Sequence, residues 1–98
     1  MQIASDDPRL LAAVKDNVAN ALAEDVGSGD VTARLIDAAE TAIASVMTRD
    51  AGIFCGSLWV AETARQVDER IVITMRVRDG EMVEPEQILF ELSGPARS

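Results

Sequence analysis

Apolar residues recur every three or four positions over the first quarter of the chain, which predicts an amphipathic helix over residues 5–25. Asp7 is placed to cap its N-terminus, and Pro8 suits the first turn, where a backbone N–H has no intrahelical partner. The spacing indicates core packing as the role of the apolar face. That face consists of Leu11, Val14, Val18 and Leu22.

Two glycines follow this helix in the segment EDVGSGDVTA. Gly27 and Gly29 lie where a helix commonly ends in a left-handed conformation, which favours glycine. Asp30 and Thr32 are then candidate caps of a short helical turn over residues 32–37. The segment therefore predicts the end of the first helix, then a turn, then the start of the short helical turn.

The same segment, residues 24–33, also combines three carboxylates with the two glycines, as some ligand-binding loops do. A phosphate-binding loop is disfavoured because a helix precedes it, no lysine follows it and the carboxylates would repel phosphate. A calcium loop of the EF-hand type is disfavoured because Ile36 stands where the closing glutamate should be. We expect no bound metal here.

Two later segments combine β-branched and apolar residues, which predicts strands over residues 41–49 and 53–56. Ser57 is expected to cap a second helix over residues 58–67. Four apolar side chains of this helix can share one face. They are Trp59, Val60, Ala64 and Val67.

The clearest strand covers residues 70–78, where Ile71, Ile73, Met75 and Val77 alternate with Val72, Thr74, Arg76 and Arg78. Asp79–Gly80 is a strong turn signal. A last strand over residues 88–92 would direct Ile88, Phe90 and Leu92 inward. This order of elements predicts an α+β fold with a mainly antiparallel sheet and two main helices.

Composition narrows the class of protein. The 98 residues suffice for one domain, and because only 3% of them are aromatic we expect a thin core with Phe54, Trp59 and Phe90 as its bulky members. The net charge of −8 disfavours binding to nucleic acid or to anionic membranes. A single cysteine and the lack of a long apolar run indicate a cytoplasmic protein without a membrane span.

The chemically active residues are few, because the chain has no histidine and one cysteine. A Cys/His zinc site and a histidine-based catalytic triad are therefore excluded within this chain. Cys55 has apolar neighbours and no histidine partner, so we expect a buried structural thiol. Arg76 and Arg78 are expected to be solvated or paired with the abundant acids.

The segment VRDGEMVEPEQILFEL is similar to the hammerhead segment of biotinyl and lipoyl carrier domains. A carrier function is excluded because carriers need a lysine at a hairpin tip, and the single lysine, Lys15, falls in the first predicted helix. Where such segments usually have glycine this chain has Glu86, so we expect that turn to form without a positive φ.

Three segments in register resemble the start of quinolinate phosphoribosyltransferase, the carboxylating nicotinate-nucleotide pyrophosphorylase family. They are ALAEDVGSGDVTARLI, ASVMTRDAGIFCGSLWVAE and VRDGEMVEPEQILFELSGPARS. The resemblance implies that residues 1–98 are an N-terminal domain of α/β-hammerhead type. It also implies that the α/β barrel of such enzymes is absent from this chain, which we expect to be part of a longer one.

The resemblance further implies a pentosyltransferase reaction for the parent protein. Quinolinate and phosphoribosyl pyrophosphate give nicotinate mononucleotide, pyrophosphate and CO2, with Mg²⁺, in NAD biosynthesis. Because this chain lacks the cations and the histidine for that chemistry, we expect no catalytic, substrate-binding or metal-binding residue within it. Arg97 is the basic residue nearest to a Glu-Arg-Thr motif that the family carries beyond Ser98, and no role is transferred to it.

The implied role of this domain is to cover the barrel of the partner subunit in a homodimer, with both substrates bound by the barrel. The alternative is a free-standing binding or adaptor module of the same fold without catalysis. A Glu-Arg-Thr motif and barrel-like strand–helix alternation in the following stretch of the gene would distinguish the two.

Overall fold

The computed structural model describes residues 7–27, 29 and 32–98. Within these ranges the chain forms two α-helices, one 3-10 helix and five strands. In chain order they are α1 (Pro8–Val26), the 3-10 helix (Ala33–Leu35), β1 (Thr41–Met47), β2 (Gly52–Ile53), α2 (Ser57–Val67), β3 (Val72–Met75), β4 (Met82–Val83) and β5 (Ile88–Pro95). The predicted α+β class is confirmed, and none of the described helices has the length and apolarity needed to cross a membrane.

Helix α1 begins and ends as the sequence predicts. The Asp7 side chain accepts a hydrogen bond from the Arg9 backbone N–H at 2.9 Å, and Pro8 is the first helical residue. Gly27 ends the helix with φ 59°, and its N–H donates to the Ala23 carbonyl at 3.2 Å. A positive φ at this position is readily adopted only by glycine.

The short helical turn exists as the 3-10 helix, and Thr32 stands at its N-cap position, as predicted. Its side chain makes no capping hydrogen bond, because the Thr32 backbone is helical (φ −64°, ψ −40°) rather than extended as in most N-caps. Asp30, the other predicted cap, lies outside the described residues.

Strand β5 is the centre of a sheet of order β1-β5-β3, and both of its neighbours run antiparallel to it. The clearest strand of the sequence is therefore an edge strand, and it is four residues long instead of nine. β5 extends to Pro95, beyond its predicted end, and a bulge interrupts its register with β1 between Val46 and Met47. Strands β2 and β4 form a separate antiparallel pair, with β2 ending at Ile53 rather than at residue 56.

Helix α2 lies over one face of the larger sheet, and α1 packs beside α2. The predicted face of α2 does turn towards the sheet, where Trp59, Val60, Ala64 and Val67 border one groove with Phe90 and Leu92 of β5. The Gln66 side chain donates to the Lys15 backbone carbonyl at 3.0 Å and joins the two helices. Ile88, predicted to face inward with Phe90 and Leu92, is 39% exposed.

The core is thin, as the composition predicts. The buried apolar side chains among the described residues are Val14, Val18, Phe54, Ala64, Val77 and Val83. Phe54, Val77 and Val83 form one cluster, against which Leu89 packs from β5. This cluster attaches the small β2–β4 sheet to the larger one, whereas Trp59 stays 38% exposed at the edge of α2.

Two tight turns flank β4. Gly80 has φ 91° and confirms the predicted turn, since the Glu81 N–H donates to the Arg78 carbonyl at 3.1 Å. The second turn contradicts the expectation for Glu86, which takes φ 68°. Pro85 precedes Glu86, and the Gln87 N–H donates to the Glu84 carbonyl at 3.1 Å. This is the geometry of a type II turn, which requires a positive φ at its third residue.

The strained turn predicts that Glu86→Gly stabilises the protein. A left-handed conformation costs a non-glycine residue roughly 1–2 kcal/mol, while the added freedom of glycine in the unfolded chain costs about 0.5–1 kcal/mol. We expect the free energy of unfolding, measured by urea denaturation, to rise by about 0.5–1 kcal/mol.

The matched control is Glu84→Gly in the same turn. Glu86 is the one non-glycine residue with a positive φ in the described chain, so Glu84 carries no such strain. This control should lose stability by about 0.5–1 kcal/mol. A loss of stability in Glu86→Gly as large as that in the control would contradict the prediction.

Candidate functional site

The larger sheet has an outer face, opposite α2, that exposes apolar side chains. Val46, Phe90 and Leu92 border the groove beneath α2, so strand alternation directs their neighbours to the other side. Ile43 and Val72 lie on that outer face, in register with Ser93 of β5 between them. Ile43 is 78% exposed and Val72 is 62% exposed, which leaves two β-branched side chains largely in solvent.

Among the residues that the structure describes, one ion pair crosses the outer face. The Arg76 guanidinium donates to the Glu91 carboxylate at 2.9 Å, so the expectation that Arg76 pairs with an acid is confirmed. The Arg78 guanidinium makes no hydrogen bond or ion pair with any residue that the structure describes, and Arg78 is exposed. An exposed ion pair such as Arg76–Glu91 contributes little to the stability of the fold, about 0–1 kcal/mol. The outer face is therefore polar around Glu91 and apolar at Ile43 and Val72.

The groove beneath α2 is the second open apolar surface. It has a volume of about 420 Å³ and is bordered by Val46, Trp59, Val60, Thr63, Ala64, Val67, Ile71, Phe90, Leu92 and Ser98. Its wall is almost wholly apolar, with hydroxyl groups as its polar elements. No acid–base chemistry can arise from such a set of side chains, so the groove is suited to packing.

The N-terminus of α2 is capped by a residue distant in sequence, which corrects the prediction for Ser57. The N-cap is Gly56 with φ 108°, and Ser57 is the first helical residue. The Asp79 carboxylate accepts from the Ser57 backbone N–H at 3.1 Å and from its hydroxyl at 2.9 Å. Asp79 thereby neutralises the positive end of the helix dipole and ties α2 to the turn before β4.

Cys55 is exposed, so the prediction of a buried thiol is wrong. The buried side chain at this point is Phe54, and the next residue points the other way as the chain leaves β2. Apolar neighbours in sequence did not mean apolar neighbours in space. The free thiol has no histidine partner because the chain has none, so the exposure alone creates no nucleophilic site.

Two carboxylates of the α2 region have strongly lowered pKa values. Hydrogen bonds from the Arg65 guanidinium, at 2.7 and 2.5 Å, lower the pKa of Glu62 from 4.5 to about 2. Hydrogen bonds from Arg70 hold the pKa of Asp68 well below its usual range. Both carboxylates are ionised at neutral pH, so neither is suited to act as a general acid or base there.

The residues after β5 donate hydrogen bonds to three backbone carbonyls of the segment before β1. The Ala96 N–H donates to the Glu40 carbonyl at 2.8 Å. Arg97 donates from Nε to the Ile36 carbonyl at 2.6 Å and from Nη2 to the Arg34 carbonyl at 3.2 Å. The partners of these hydrogen bonds are about sixty positions apart in the chain. The sequence alone therefore does not indicate that they meet.

No catalytic, substrate-binding or metal-binding residue was predicted in this chain, and that expectation stays a prediction. Among residues 7–27, 29 and 32–98, no three Cys, Asp or Glu side chains converge as a metal site requires. Sequence reasoning missed three residues that hold distant segments of the chain together. They are Asp79, Asp68 and Arg97. A carboxylate or guanidinium with a distant partner leaves no local signal, apart from the Asp79–Gly80 turn that places Asp79.

Comparison with known proteins gives one family and several relatives. The sequence model of "Quinolinate phosphoribosyl transferase, N-terminal domain" matches residues 30–98. A probable nicotinate-nucleotide pyrophosphorylase (carboxylating) of Bacillus subtilis is 32% identical over 73 residues, which cover 74% of this chain and 25% of that protein.

Solved structures agree with this family. The nicotinate-nucleotide pyrophosphorylase of Francisella tularensis matches with a TM-score of 0.86 and 34% identity, over 89% of this chain and 31% of that one. The fold alone is shared with the nicotinate-nucleotide pyrophosphorylase of Ehrlichia chaffeensis, with a TM-score of 0.77 and 23% identity over 99% of this chain and 32% of that one. The chain thus spans about a quarter to a third of the length of these relatives.

The ion pair of Glu62 predicts an acid-sensitive fold. Because the folded pKa of about 2 lies below the ordinary 4.5, the pair stabilises the protein above about pH 4.5, and this stabilisation is lost as the pH falls towards 2. The thermal midpoint of the unsubstituted protein should fall more steeply over this range than that of Glu62→Gln. Glu24→Gln, at an exposed glutamate of α1, is the control and should keep the steeper fall. Equal slopes for all three proteins would contradict the assignment.

Proposed function

The chain belongs to the family of quinolinate phosphoribosyl transferase N-terminal domains, and on that premise we propose that it is the N-terminal part of a carboxylating nicotinate-nucleotide pyrophosphorylase. One observation carries the proposal: the family match over residues 30–98 coincides with a backbone that follows the Francisella tularensis enzyme at a TM-score of 0.86. The remaining two thirds of the enzyme would be the catalytic α/β barrel.

The proposed reaction of the whole enzyme is a phosphoribosyl transfer in NAD biosynthesis. The ring nitrogen of quinolinate displaces pyrophosphate from phosphoribosyl pyrophosphate; one ring carboxylate then leaves as CO2 and a proton takes its place on the ring carbon, which gives nicotinate mononucleotide. Mg²⁺ would neutralise the leaving pyrophosphate. The described residues of this chain do not fit such an ion, since no group of carboxylates converges, so we derive no step through a metal held by this domain.

The charge of the domain supports a non-catalytic role. Stabilising a pyrophosphate leaving group takes several converging cations, and this chain carries nine basic residues among seventeen acids. Four of its eight arginines are engaged within the domain: Arg65, Arg70 and Arg76 pair with acids, and Arg97 donates to backbone carbonyls. Both anionic substrates are therefore assigned to the barrel.

The role that we propose for the domain is a cover for the barrel of the partner subunit in a homodimer. The outer face of the larger sheet supports this role, since Ile43 and Val72 are apolar and largely exposed in the isolated domain. A second protein surface placed on this face would bury both side chains and exclude water from the substrates. The acidic domain would also attract a barrel whose mouth is lined by cations for anionic substrates. The proposed compartment is the cytoplasm.

The proposed enzyme role predicts that residues 1–98 alone have no activity. With quinolinate, phosphoribosyl pyrophosphate and Mg²⁺, the chain should release neither CO2 nor pyrophosphate, because the cations for the leaving group lie elsewhere. The longer gene product, or the barrel supplied in trans, should form nicotinate mononucleotide. Product formed by residues 1–98 alone would contradict the assignment of catalysis to the barrel. A gene that encodes no barrel would favour the adaptor module instead.

The proposed dimer contact predicts a specific effect of Ile43→Glu in the longer enzyme. A charge placed without a partner in a buried interface is costly, so the dimer dissociation constant, measured by sedimentation, should rise about tenfold or more, and turnover should fall with it. Met82→Glu is the matched control, because Met82 is 64% exposed but lies in the small sheet. An intact, fully active dimer of Ile43→Glu would exclude the outer face as the contact.

A further inference from the structure

The last three residues of the chain are each bound to a different part of the fold. The Ala96 N–H bonds to Glu40, just before β1, and Arg97 bonds to the 3-10 helix region. The Ser98 hydroxyl donates to the Asp68 carboxylate at 2.8 Å, at the C-terminal end of α2. An exposed segment at the end of a strand is thus fixed at three points rather than left free.

The Arg97 guanidinium lies where a cation is favoured. Its two acceptors, the carbonyls of Arg34 and Ile36, belong to the C-terminal end of the 3-10 helix, where carbonyl groups lack partners within the helix. Basic side chains at such an end bond the last carbonyls and balance their partial negative charge. Arg97 therefore fastens the segment before β1 to the end of β5.

The Asp68 carboxylate is itself held in place. Arg70 donates to it from its backbone N–H at 2.9 Å and from Nε and Nη2 at 3.0 and 2.8 Å. This leaves the Asp68 oxygen at a fixed position to receive Ser98 at the end of α2. The attachments of Arg97 and Ser98 are on separate elements, so together they define both the position and the direction of the chain at residue 98.

We propose that Arg97 is a positioning residue, which fixes where the polypeptide leaves this domain and so places whatever follows it in the longer enzyme. The inference rests on the proposed function, because it concerns the placement of this domain relative to the barrel. The Nε–Nη2 edge, one of the two edges with which a guanidinium grips a carboxylate or phosphate, is already occupied by backbone carbonyls. Arg97 is therefore assigned to the fold and not to an anionic substrate.

The test compares Arg97→Met and Arg97→Lys in the longer enzyme, with steady-state kinetics at a temperature where each protein is folded. Displacements of about 1 Å remote from the reacting atoms can reduce rates up to about a hundredfold, so Arg97→Met should lower kcat about ten- to a hundredfold and leave KM for both substrates nearly unchanged. Lysine can donate to one of the two carbonyls, so Arg97→Lys should recover part of kcat.

The matched control is Arg78→Met, which removes the same charge from an exposed arginine whose side chain bonds to no residue in the described ranges. It should leave kcat unchanged. In the 98-residue chain, Arg97→Met should shift the amide resonances of Leu35, Ile36 and Ala96, and Arg78→Met should not.

Three results would overturn the proposal. A KM raised tenfold or more with kcat preserved would make Arg97 a substrate ligand, and unchanged kinetics or unshifted amide resonances would remove its positioning role. An unsubstituted longer enzyme without turnover would instead overturn the proposed function, and the amide resonances would still decide whether Arg97 holds the 3-10 helix.

Discussion

Few large apolar side chains are buried in the described part of this domain, and that thin core decides how its elements are joined. The buried set is mostly valine, with one phenylalanine and one alanine. Hydrogen bonds between distant segments therefore contribute part of the stability that a thicker core would provide alone. Gln66 joins the two helices, Asp79 holds the start of α2, and Asp68 and Arg97 hold the end of β5. Each of these bonds uses a side chain that composition would assign to a solvated surface.

Periodicity and turn chemistry predicted both helices and four of the five strands, but not β4, which is two residues long. The 3.6-residue stripe gave α1 with both of its ends, and the alternation around residue 73 gave β3, because these patterns depend on neighbours within one turn or one strand. The errors arose where a distant residue decides. Ser57 is the first residue of α2 because Asp79 does the capping, and Cys55 is exposed because Phe54 fills the space in the cluster with Val77 and Val83.

The error at Glu86 has a local origin. Pro85 suits the second position of both type I and type II turns, and only the type II form that the structure adopts places the third residue, Glu86, at a positive φ. For the candidate site, the sequence could only exclude classes of chemistry. It could not predict the outer face, because that face is defined by the register across β1, β5 and β3. Which alternating set of side chains remains uncovered depends on where α2 lies, and that is a property of the assembled domain.

The strand order has a consequence for how the chain acquires its structure. In the described part of the chain β1 and β3 pair with β5 and not with each other, and β5 follows both of them in the sequence. On the ribosome the two helices and the small sheet can form early, while the larger sheet has to wait for residues 88–95 to emerge. Such long-range closure slows folding, and the waiting strands expose edges that other chains can pair with. The net charge of −8 opposes such pairing between copies of this chain, because like-charged chains repel one another.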